Sequence, residues 1–283
     1  MVARKQKRRR RKEEFKFEDF RKILELPERL AVFLREWLHI DKVTWDFCLD
    51  RIRQHKAGQR PAYKEWSKSK GPGKGRRYFA APCSELKVIQ KAILDRILAS
   101  TPVHCARHGN QRGSSIISNA LRHSGFAKAI FSVDIVNAFP TVFRSRIKAN
   151  LKKPFWFGLR QFAGVEFSAE DKEMMLESLA DLLAYHDRLP QGPPTSPRIL
   201  DIVCMKMDTA IYALLAQNTT PFQEYRFTAW ADDLTISTNG AEIPVELREG
   251  ILKIIRENGF IPHTRADKTV YYSPETGKVP MVT

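Results

Sequence analysis

Thr228-Ala-Trp-Ala-Asp-Asp-Leu-Thr235 is the stretch that decides the fold, because it sets two adjacent carboxylates, Asp232 and Asp233, inside an apolar run. An unpaired carboxylate in apolar surroundings is so costly that it takes up a proton instead, so an ionised pair there requires a cation. The flanking segments 225–230 and 234–238 are rich in residues that favour strands. The sequence therefore predicts a β-hairpin with the two aspartates at its tip and a divalent metal ion beside them. The alternative is a plain turn, since aspartate is common in turns.

A third carboxylate, Asp134, lies at the end of the apolar segment Ala129-Ile-Phe-Ser-Val-Asp-Ile135. An aspartate there does not help packing, whereas sheet pairing with the hairpin would place it beside Asp232 and Asp233. Three carboxylates provide the hard oxygen ligands that Mg²⁺ prefers. We expect all three to be catalytic metal ligands around two Mg²⁺ ions, which lower the pKa of an attacking hydroxyl and hold a leaving pyrophosphate. Because consecutive strand residues face opposite ways, Asp134 and Asp232 should bridge the ions and Asp233 should contribute peripherally.

The charge of the chain is strongly positive and unevenly distributed. The 283 residues are 43% hydrophobic and 28% charged, typical of a globular chain with one large or two medium cores. The net charge is +16, and the basic residues concentrate at 4–12 and 51–77. Such segregation suits a polyanion, whose binding releases counterions. The basic stretches lack the apolar face of a membrane-surface helix, so a nucleic acid is the favoured partner.

Sequence features also bear on location. No apolar run reaches the roughly 20 residues that span a bilayer, and the basic N-terminus lacks the apolar core of a signal peptide. The four cysteines are far apart and show no disulfide-like spacing, which fits a reducing compartment. We expect a cytoplasmic protein that does not bind membranes.

Hydrophobic periodicity and turn residues predict helices and strands in mixed order. This mixture, with a hairpin in it, favours an α/β fold of the α+β kind, in which helices cover one face of an antiparallel sheet, over a doubly wound parallel sheet. Ser84 should cap one helix. The buried stripe of that helix should be Val88, Ile89, Ala92, Ile93 and Ile97. Further helices are predicted at 15–38 (two, separated by Pro27), 114–123, 142–151, 169–186, 195–217 and 244–258, strands at 76–80, 129–135 and 268–273, and a loop at 67–75.

Three segments, in order, resemble the motifs of reverse transcriptases. Phe131-Ser-Val-Asp-Ile-Val-Asn-Ala-Phe-Pro140 resembles motif A, Leu189-Pro-Gln-Gly-Pro-Pro-Thr-Ser-Pro197 is similar to motif B, and 229–234 is similar to motif C. Residues 259–263 with Lys268 and Thr269 resemble motif D. The resemblance covers about residues 60–280 and implies a right-hand polymerase with a palm and fingers.

The region before motif A resembles one branch of that family. Residues 77–82 and 86–90, followed by 108–110 and 115–120, resemble the fingers of the bacterial retron-type and group II intron-like enzymes. The resemblance implies a basic tail at 1–14, N-terminal helices and fingers at 15–125, and a palm at 126–283. The sequence ends at Thr283, where the similar enzymes continue into a thumb, so we expect the thumb to be absent or truncated, or supplied by another protein.

The resemblance also implies roles for individual residues. Phe139 is similar to the steric gate that excludes the ribose 2′-hydroxyl, the alternative being a core phenylalanine. Arg77 resembles the fingers residue that holds the triphosphate, a role in which Arg76 could substitute. Gln191 and Gly192 resemble the motif B turn that approaches the incoming sugar and the template base, the alternative being a loop before a helix.

Lys268 resembles the motif D lysine that protonates the leaving pyrophosphate, and the alternative is a surface lysine. Together the motifs imply an RNA-directed DNA polymerase that extends a DNA or RNA primer with deoxynucleotides on an RNA template, using two Mg²⁺ ions. The retron-like fingers imply a structured noncoding RNA partner and an antiphage role, with an intron or a diversity-generating element as the alternative. A nucleic-acid-binding scaffold and a template-independent polymerase of a defence or mobile-element complex are the competing functions.

Overall fold

The computed structural model describes residues 19–71, 75–109, 111, 113–162 and 164–276. The basic tail predicted at residues 1–14 and the centre of the loop predicted at 67–75 lie outside these residues. The chain packs as two compact units. The first comprises the chain through Ser100 with Val142–Ser196, and the second comprises Thr101–Thr141 with Pro197–Thr283. The functional division into fingers before residue 126 and a palm after it stays a prediction.

The helices and strands follow the predicted mixed order. The helices are α1 (Arg21–Leu24), α2 (Glu28–Trp37), α3 (Lys42–Lys56), α4 (Ser84–Ile93, continued by a π turn at Leu94–Leu98), α5 (Ile116–Leu121), α6 (Ala138–Thr141), α7 (Arg144–Leu159), α8 (Ala169–Leu183), α9 (Ser196–Asn218) and α10 (Val245–Glu257). The strands are β1 (Tyr63–Ser69), β2 (Arg76–Pro82), β3 (Ala129–Asp134), β4 (Tyr225–Trp230), β5 (Asp233–Thr238) and β6 (Thr269–Tyr272), followed by a 3₁₀ turn at Pro274–Thr276. No helix among the described residues is both long enough and apolar enough to cross a membrane.

The first unit combines helices with one hairpin. Helix α8 begins with a capping box in which the Ser168 hydroxyl accepts from the Asp171 N–H and the Asp171 carboxylate accepts from the Ser168 N–H, satisfying N–H groups that lack helical partners. Farther along α8, the Asp181 carboxylate accepts from the Ile23 N–H at 3.2 Å and from Arg144 at 2.7 Å. Asp181 thus joins α8 to α1 through a backbone hydrogen bond and to the first residue of α7 through an ion pair.

A two-stranded antiparallel hairpin, β1–β2, belongs to the same unit. Its register pairs Tyr63 with Pro82 and Ser69 with Arg76. Strand β1 is not a sequence-predicted element, because its outward residues are mostly lysine and serine and only Tyr63 is buried. The predicted loop at 67–75 therefore starts late, since pairing with β2 extends β1 to Ser69.

The second unit is built on a four-stranded sheet in the order β4-β5-β3-β6, and every neighbouring pair is antiparallel. This confirms the predicted antiparallel sheet. Strand β3 lies in the interior of the sheet and is buried along nearly all of its length, as expected for an apolar strand flanked on both edges. The hairpin predicted around Asp232 is also confirmed, with β4 paired to β5.

Helix α4 differs from its prediction in two respects. Cys83 occupies the N-cap position, and Ser84 is the first helical residue, whose hydroxyl donates to Glu85 instead of capping. Val88 is 47% exposed, whereas Leu86 is fully buried. The buried stripe runs through Leu86, Ile89 and Ile93 at helical spacing, and it leaves Val88 on the opposite side.

Candidate active site

The hairpin between β4 and β5 has a two-residue turn, Ala231-Asp232. Trp230 pairs with Asp233 across it, and Ala231 has a φ of 53°. Two-residue hairpin turns need a positive φ at the first central residue, which is usually glycine. An alanine in this conformation is strained, and such strain persists only where the surroundings hold it in place. The turn is therefore fixed from outside, and it carries Asp232 at its second position.

Asp134 and Asp233 are directly opposite each other on β3 and β5. The Ile135 N–H donates to the Asp232 carbonyl at 3.0 Å, which makes Asp134 and Asp233 a pair without mutual backbone hydrogen bonds. In such pairs the Cα atoms are about 4.5 Å apart and the side chains share one face. The three predicted aspartates are thus brought together along the backbone. The register makes Asp233, rather than Asp232, the direct neighbour of Asp134, and the predicted ranking of the three as metal ligands stays a prediction.

Lys268 lies against this group of aspartates. Its ammonium is 2.5 Å from the Asp134 carboxylate, and its carbonyl accepts from the Asp134 N–H at 3.0 Å. The hydrogen bond to Asp134 raises the pKa of Lys268, partial burial opposes the rise, and the charges of Asp134, Asp233 and Asp232 add to it. Like charges opposite each other in a sheet destabilise it, so a lysine at this position offsets part of that repulsion. We call Asp134, Asp232, Asp233 and Lys268 the carboxylate cluster.

The donor chemistry of the cluster suits a hard cation. Asp134 is 9% exposed, Asp232 is half-buried and Asp233 is exposed. Carboxylate oxygens are the ligands that Mg²⁺ prefers. Across the described part of the chain, no three acidic, histidine or cysteine side chains already have the arrangement of a metal site, and Lys268 engages Asp134 instead. The metal-binding role of the three aspartates remains a prediction.

Phe139 follows the carboxylate strand in the same unit. It lies on the short helix α6, after Asn137 with a φ of 48°. The ring is half-buried, in contrast to its neighbour Ala138, which is buried. The structure places Phe139 at the surface of the unit rather than deep in its core, and its role as a steric gate stays a prediction.

The two arginines predicted to hold a triphosphate point to different faces of the β1–β2 hairpin. Arg77 pairs with Lys68 across the strands, and Arg76 pairs with Ser69. Cross-strand partners share a face and successive residues alternate. The Arg76 guanidinium donates to the hydroxyl of Ser67 at 2.8 Å and to its carbonyl at 3.1 Å. Arg76 is therefore engaged within its own hairpin, and Arg77 is the exposed cation beside Lys68.

Gln191 and Gly192 contact the same hairpin. The Ala80 N–H donates to the Gln191 carbonyl at 2.8 Å. Gly192 has a φ of 141°, and a Cβ at this position would lie 2.5 Å from the Ala80 carbonyl oxygen. Only glycine fits so close an approach without movement of the backbone. The first unit thus brings Gln191 and Gly192 to β2, the strand that begins with Arg76 and Arg77, and we call these four residues the hairpin–turn group.

Comparison with known proteins identifies the family. The model of the family described as reverse transcriptase (RNA-dependent DNA polymerase) matches residues 67–278. The chain belongs to the reverse transcriptase family. It is 32% identical over 223 residues to the retron Mx162 reverse transcriptase of Myxococcus xanthus, covering 73% of this chain and 44% of that protein. It is 28% identical over 207 residues to the retron Ec86 reverse transcriptase of Escherichia coli, covering 73% of this chain and 58% of that protein.

These relatives confirm the resemblance to the retron-type branch, and the chain spans about half the length of the curated relatives it matches. A solved structure of telomerase from Candida albicans with a fragment of telomeric RNA also matches. It has a TM-score of 0.47 and 14% sequence identity, covering 76% of this chain and 43% of that one. Reverse transcriptases are in general polymerases that depend on divalent metal ions.

Two further residues support the hairpin and were not found by sequence reasoning. Arg107 is completely buried and donates to Asp208 and to the Ala231 carbonyl. His123 is buried between the hydroxyls of Ser237 and Thr228, each at 2.7 Å. Burial is the main reason that the pKa of His123 falls to about 4. A signal for Arg107 was present in the sequence, because two acids seven residues apart in the apolar helix 196–218 require a buried cation.

Proposed function

We propose that this chain catalyses RNA-directed DNA synthesis, adding deoxynucleotides to a primer 3′-hydroxyl with two Mg²⁺ ions. The single observation that carries the proposal is the carboxylate cluster, in which Asp134 and Asp233 are opposite each other and Asp232 is in the adjoining turn. A sheet gains no stability from opposed like charges. Membership of the reverse transcriptase family supplies the reaction that uses such an arrangement.

In the proposed mechanism, Asp134, Asp232 and Asp233 hold the metal ions. Bound Mg²⁺ would make the primer hydroxyl a better nucleophile and neutralise charge on the phosphates. The residues of the chain provide positioning around that chemistry. Lys268 remains protonated, since its neighbours raise its pKa, and it donates a proton to the departing pyrophosphate. The Lys268 ammonium pairs with the Asp134 carboxylate, so it would have to leave that contact to reach the pyrophosphate.

The β1–β2 hairpin supports binding of a nucleic acid strand. Trp66 and Phe79 are cross-strand partners whose rings stack, with 5.3 Å between the ring centroids and an angle of 15° between the ring planes. Lys64, Lys68 and Arg77 share that face. Base stacking on aromatic rings beside cations is the usual means of holding a single strand without sequence preference. In this proposal the hairpin face contacts the template and the incoming triphosphate, with Arg77 on the phosphates.

The proposed sugar selection and template contacts involve three further residues. Phe139 would lie under the deoxyribose and exclude a 2′-hydroxyl. Gln191 and Gly192 would approach the incoming nucleotide and its template base from a turn whose position is fixed by its backbone contacts to Ala80. Phe139→Ala should admit ribonucleotides, and unchanged discrimination between ribo- and deoxynucleotides would argue for a packing role.

The proposed biological setting is that of a retron. The similar proteins are retron reverse transcriptases, so we infer that a structured noncoding RNA provides template and primer in the cytoplasm, that a further protein supplies an effector function, and that the system acts against phages. The neighbouring DNA tests this directly. A gene for a structured noncoding RNA beside the coding sequence supports a retron, whereas an intron core or a variable repeat contradicts it.

The chemistry is tested by primer extension on poly(rA) annealed to oligo(dT) with Mg²⁺. The wild-type chain should extend the primer, and Asp232→Asn should abolish extension while RNA binding, measured by fluorescence anisotropy, stays almost unchanged. Synthesis by Asp232→Asn would refute the assignment of the cluster. RNA binding without synthesis by the wild-type chain would support a scaffold instead.

A further inference from the structure

Arg107 is a buried arginine whose guanidinium connects the active-site turn to helix α9. Its Nε and Nη2 donate to the two oxygens of Asp208 at 2.7 and 2.8 Å, in the two-pronged geometry that arginine and carboxylate form. Its Nη1 donates to the Ala231 carbonyl at 2.5 Å. Asp201 lies 3.6 Å away on the same helix. One side chain thus bonds both a helix and the strained residue that precedes Asp232.

The backbone around Arg107 reinforces the same contact. The Ala229 N–H donates to the Ala106 carbonyl at 2.8 Å, and the His108 N–H donates to the Ala229 carbonyl at 2.9 Å. Residues 106–108 therefore extend the sheet beyond β4 as a short parallel bridge. At Gly109, a Cβ would lie 3.0 Å from the Ala231 nitrogen. This segment therefore lies close to the Ala231 nitrogen at Gly109 and bonds the Ala231 carbonyl through the Arg107 guanidinium.

We propose that Arg107 is a positioning residue that fixes the Ala231 carbonyl and thereby sets the direction in which Asp232 and Asp233 project. Ala231 has the positive φ that a two-residue turn requires, a conformation that alanine does not favour by itself. The hydrogen bond from Arg107 holds the carbonyl in the orientation that this conformation needs. Without it, the turn relaxes toward other conformations and the two carboxylates lose their common geometry.

The chemistry of arginine fits this role better than that of lysine. A guanidinium has five N–H donors in a rigid plane, so it bonds Asp208 with one edge and a carbonyl with another. A lysine ammonium retains the positive charge but cannot reproduce the two-edged contact. The buried acids also need a cation, because burial raises the pKa of Asp201 to about 6 against the opposing charges of Arg107 and Arg198. Removing the charge altogether would leave buried carboxylates without compensation.

The test uses variants that separate geometry from charge. Arg107→Lys keeps the positive charge but removes the planar guanidinium that bonds both Asp208 and the Ala231 carbonyl. Arg198→Lys is the matched control, since Arg198 also faces Asp201 but bonds Gln111 and the Thr101 carbonyl rather than the turn. Gly109→Ala crowds the Ala231 nitrogen without any change of charge. This second variant keeps the proposal testable if Arg107→Lys does not fold.

The first readout does not require activity. Hydrogen exchange measured by mass spectrometry should show amides of residues 231–234 exchanging about tenfold faster in Arg107→Lys and Gly109→Ala than in the wild type, while residues 130–133 of β3 keep their rates. Arg198→Lys should leave the turn unchanged. Equal exchange at the turn in Arg107→Lys and Arg198→Lys, or a uniform increase across the sheet, would overturn the proposal.

The second readout depends on the proposed polymerase function. In primer extension, Arg107→Lys should lower kcat by about 10- to 100-fold and raise the Mg²⁺ concentration for half-maximal rate, while the KM for the primer–template changes less than about threefold. A purely structural role would lower the amount of active enzyme without altering the Mg²⁺ dependence, which would also overturn the proposal. If the wild-type chain does not polymerise, the proposed function fails and the exchange experiment still decides the role of Arg107.

Discussion

The carboxylate cluster and the hairpin–turn group are built in opposite ways. In the cluster, Asp134 is buried and bonded to Lys268, and strand register places Asp233 beside it. In the hairpin–turn group, the arginines are exposed and the closest contact is between backbones, at Gly192 and Ala80. The cluster gathers three carboxylates around one lysine, which offsets only part of their repulsion and leaves negative charge fixed in place for a cation. The group presents its charge outward, as binding of a mobile anion requires.

The largest expected effect is on the cluster. Asp233→Asn should reduce primer extension by roughly a thousandfold or more, because a residue in the proposed role of metal ligand would contribute several kcal/mol to stabilising the transition state. The same change should raise the melting temperature, since it removes one of two opposed negative charges. Differential scanning fluorimetry beside single-turnover extension measures both quantities.

Loss of activity together with raised stability would mark the cluster as a site that the fold tolerates rather than needs. The matched control is Asp267→Asn, which removes an exposed carboxylate that pairs with Arg265 two residues away, and it should change neither quantity appreciably. A fall in melting temperature for Asp233→Asn would mean that the aspartate supports the sheet, and the contrast between the two regions would disappear.

A smaller effect is expected at the turn that docks on β2. Gly192→Ala sets a Cβ 2.5 Å from the Ala80 carbonyl and keeps a backbone conformation that alanine rarely adopts. Together these cost about 1–3 kcal/mol, which should lower the melting temperature and raise the KM for deoxynucleotides about tenfold. Gly164→Ala is the control, since Gly164 also has a positive φ but a Cβ there meets nothing within 4 Å. Equal effects of the two changes would show that the contact of Gly192 with the Ala80 carbonyl does not decide the outcome.

The two arginines of the hairpin provide a sharper comparison within one region. Arg77→Ala should raise the KM for deoxynucleotides about 10- to 50-fold, because a charge-assisted contact to phosphate is worth about 1.5–3 kcal/mol. Arg76→Ala should change it less than about threefold, since the Arg76 guanidinium is bonded to Ser67 on the other face. Steady-state kinetics at varied deoxynucleotide concentration distinguishes the two. A larger effect of Arg76→Ala than of Arg77→Ala would mean that Arg76, and not Arg77, contacts the phosphates.

The sequence predicted the parts of the fold that depend on local pattern. The apolar strand 129–134 and the hairpin around Asp232 follow from residue preferences and from the cost of a carboxylate in apolar surroundings. Their antiparallel pairing follows from the mixed order of elements. The approach of Gly192 to Ala80 could not be derived, because it joins residues more than a hundred positions apart by a backbone contact that leaves no periodic signal.

Other features were missed because tertiary contacts decide them. Helix α3 was not predicted, because it contains many charged residues and its buried residues Trp45, Cys48 and Ile52 form only a narrow apolar stripe. Strand β1 alternates weakly and exists through pairing with β2. The direct pairing of Asp134 with Asp233 depends on the register between β3 and β5. These strands are about a hundred residues apart in the chain, so no short turn sets that register and composition does not reveal it.

The smallest effect on activity is expected for a change at His123. The titration of this histidine tests whether water reaches the sheet that carries the carboxylate cluster. Its pKa is lowered to about 4, chiefly by burial, whereas an unfolded histidine titrates near 6.5. The unfolded chain therefore binds the proton first as the pH falls. The stabilising contribution of neutral His123 is fully present above about pH 6.5 and declines through the window from 6.5 to 4 by about 3 kcal/mol. Urea unfolding of the wild type and His123→Gln at pH 7.5 and 4.5 measures it.

The variant retains hydrogen-bonding groups for Ser237 and Thr228 but cannot titrate, so the difference in unfolding free energy between the two proteins should shift in favour of the variant as the pH falls. Because all other titrating groups are common to both proteins, the difference isolates His123. A difference that stays constant between the two pH values would mean that water reaches the imidazole. In that case the sheet that carries Asp233 would be as accessible to water as the β1–β2 hairpin. The two regions would then no longer differ in the solvent exposure of their charged groups.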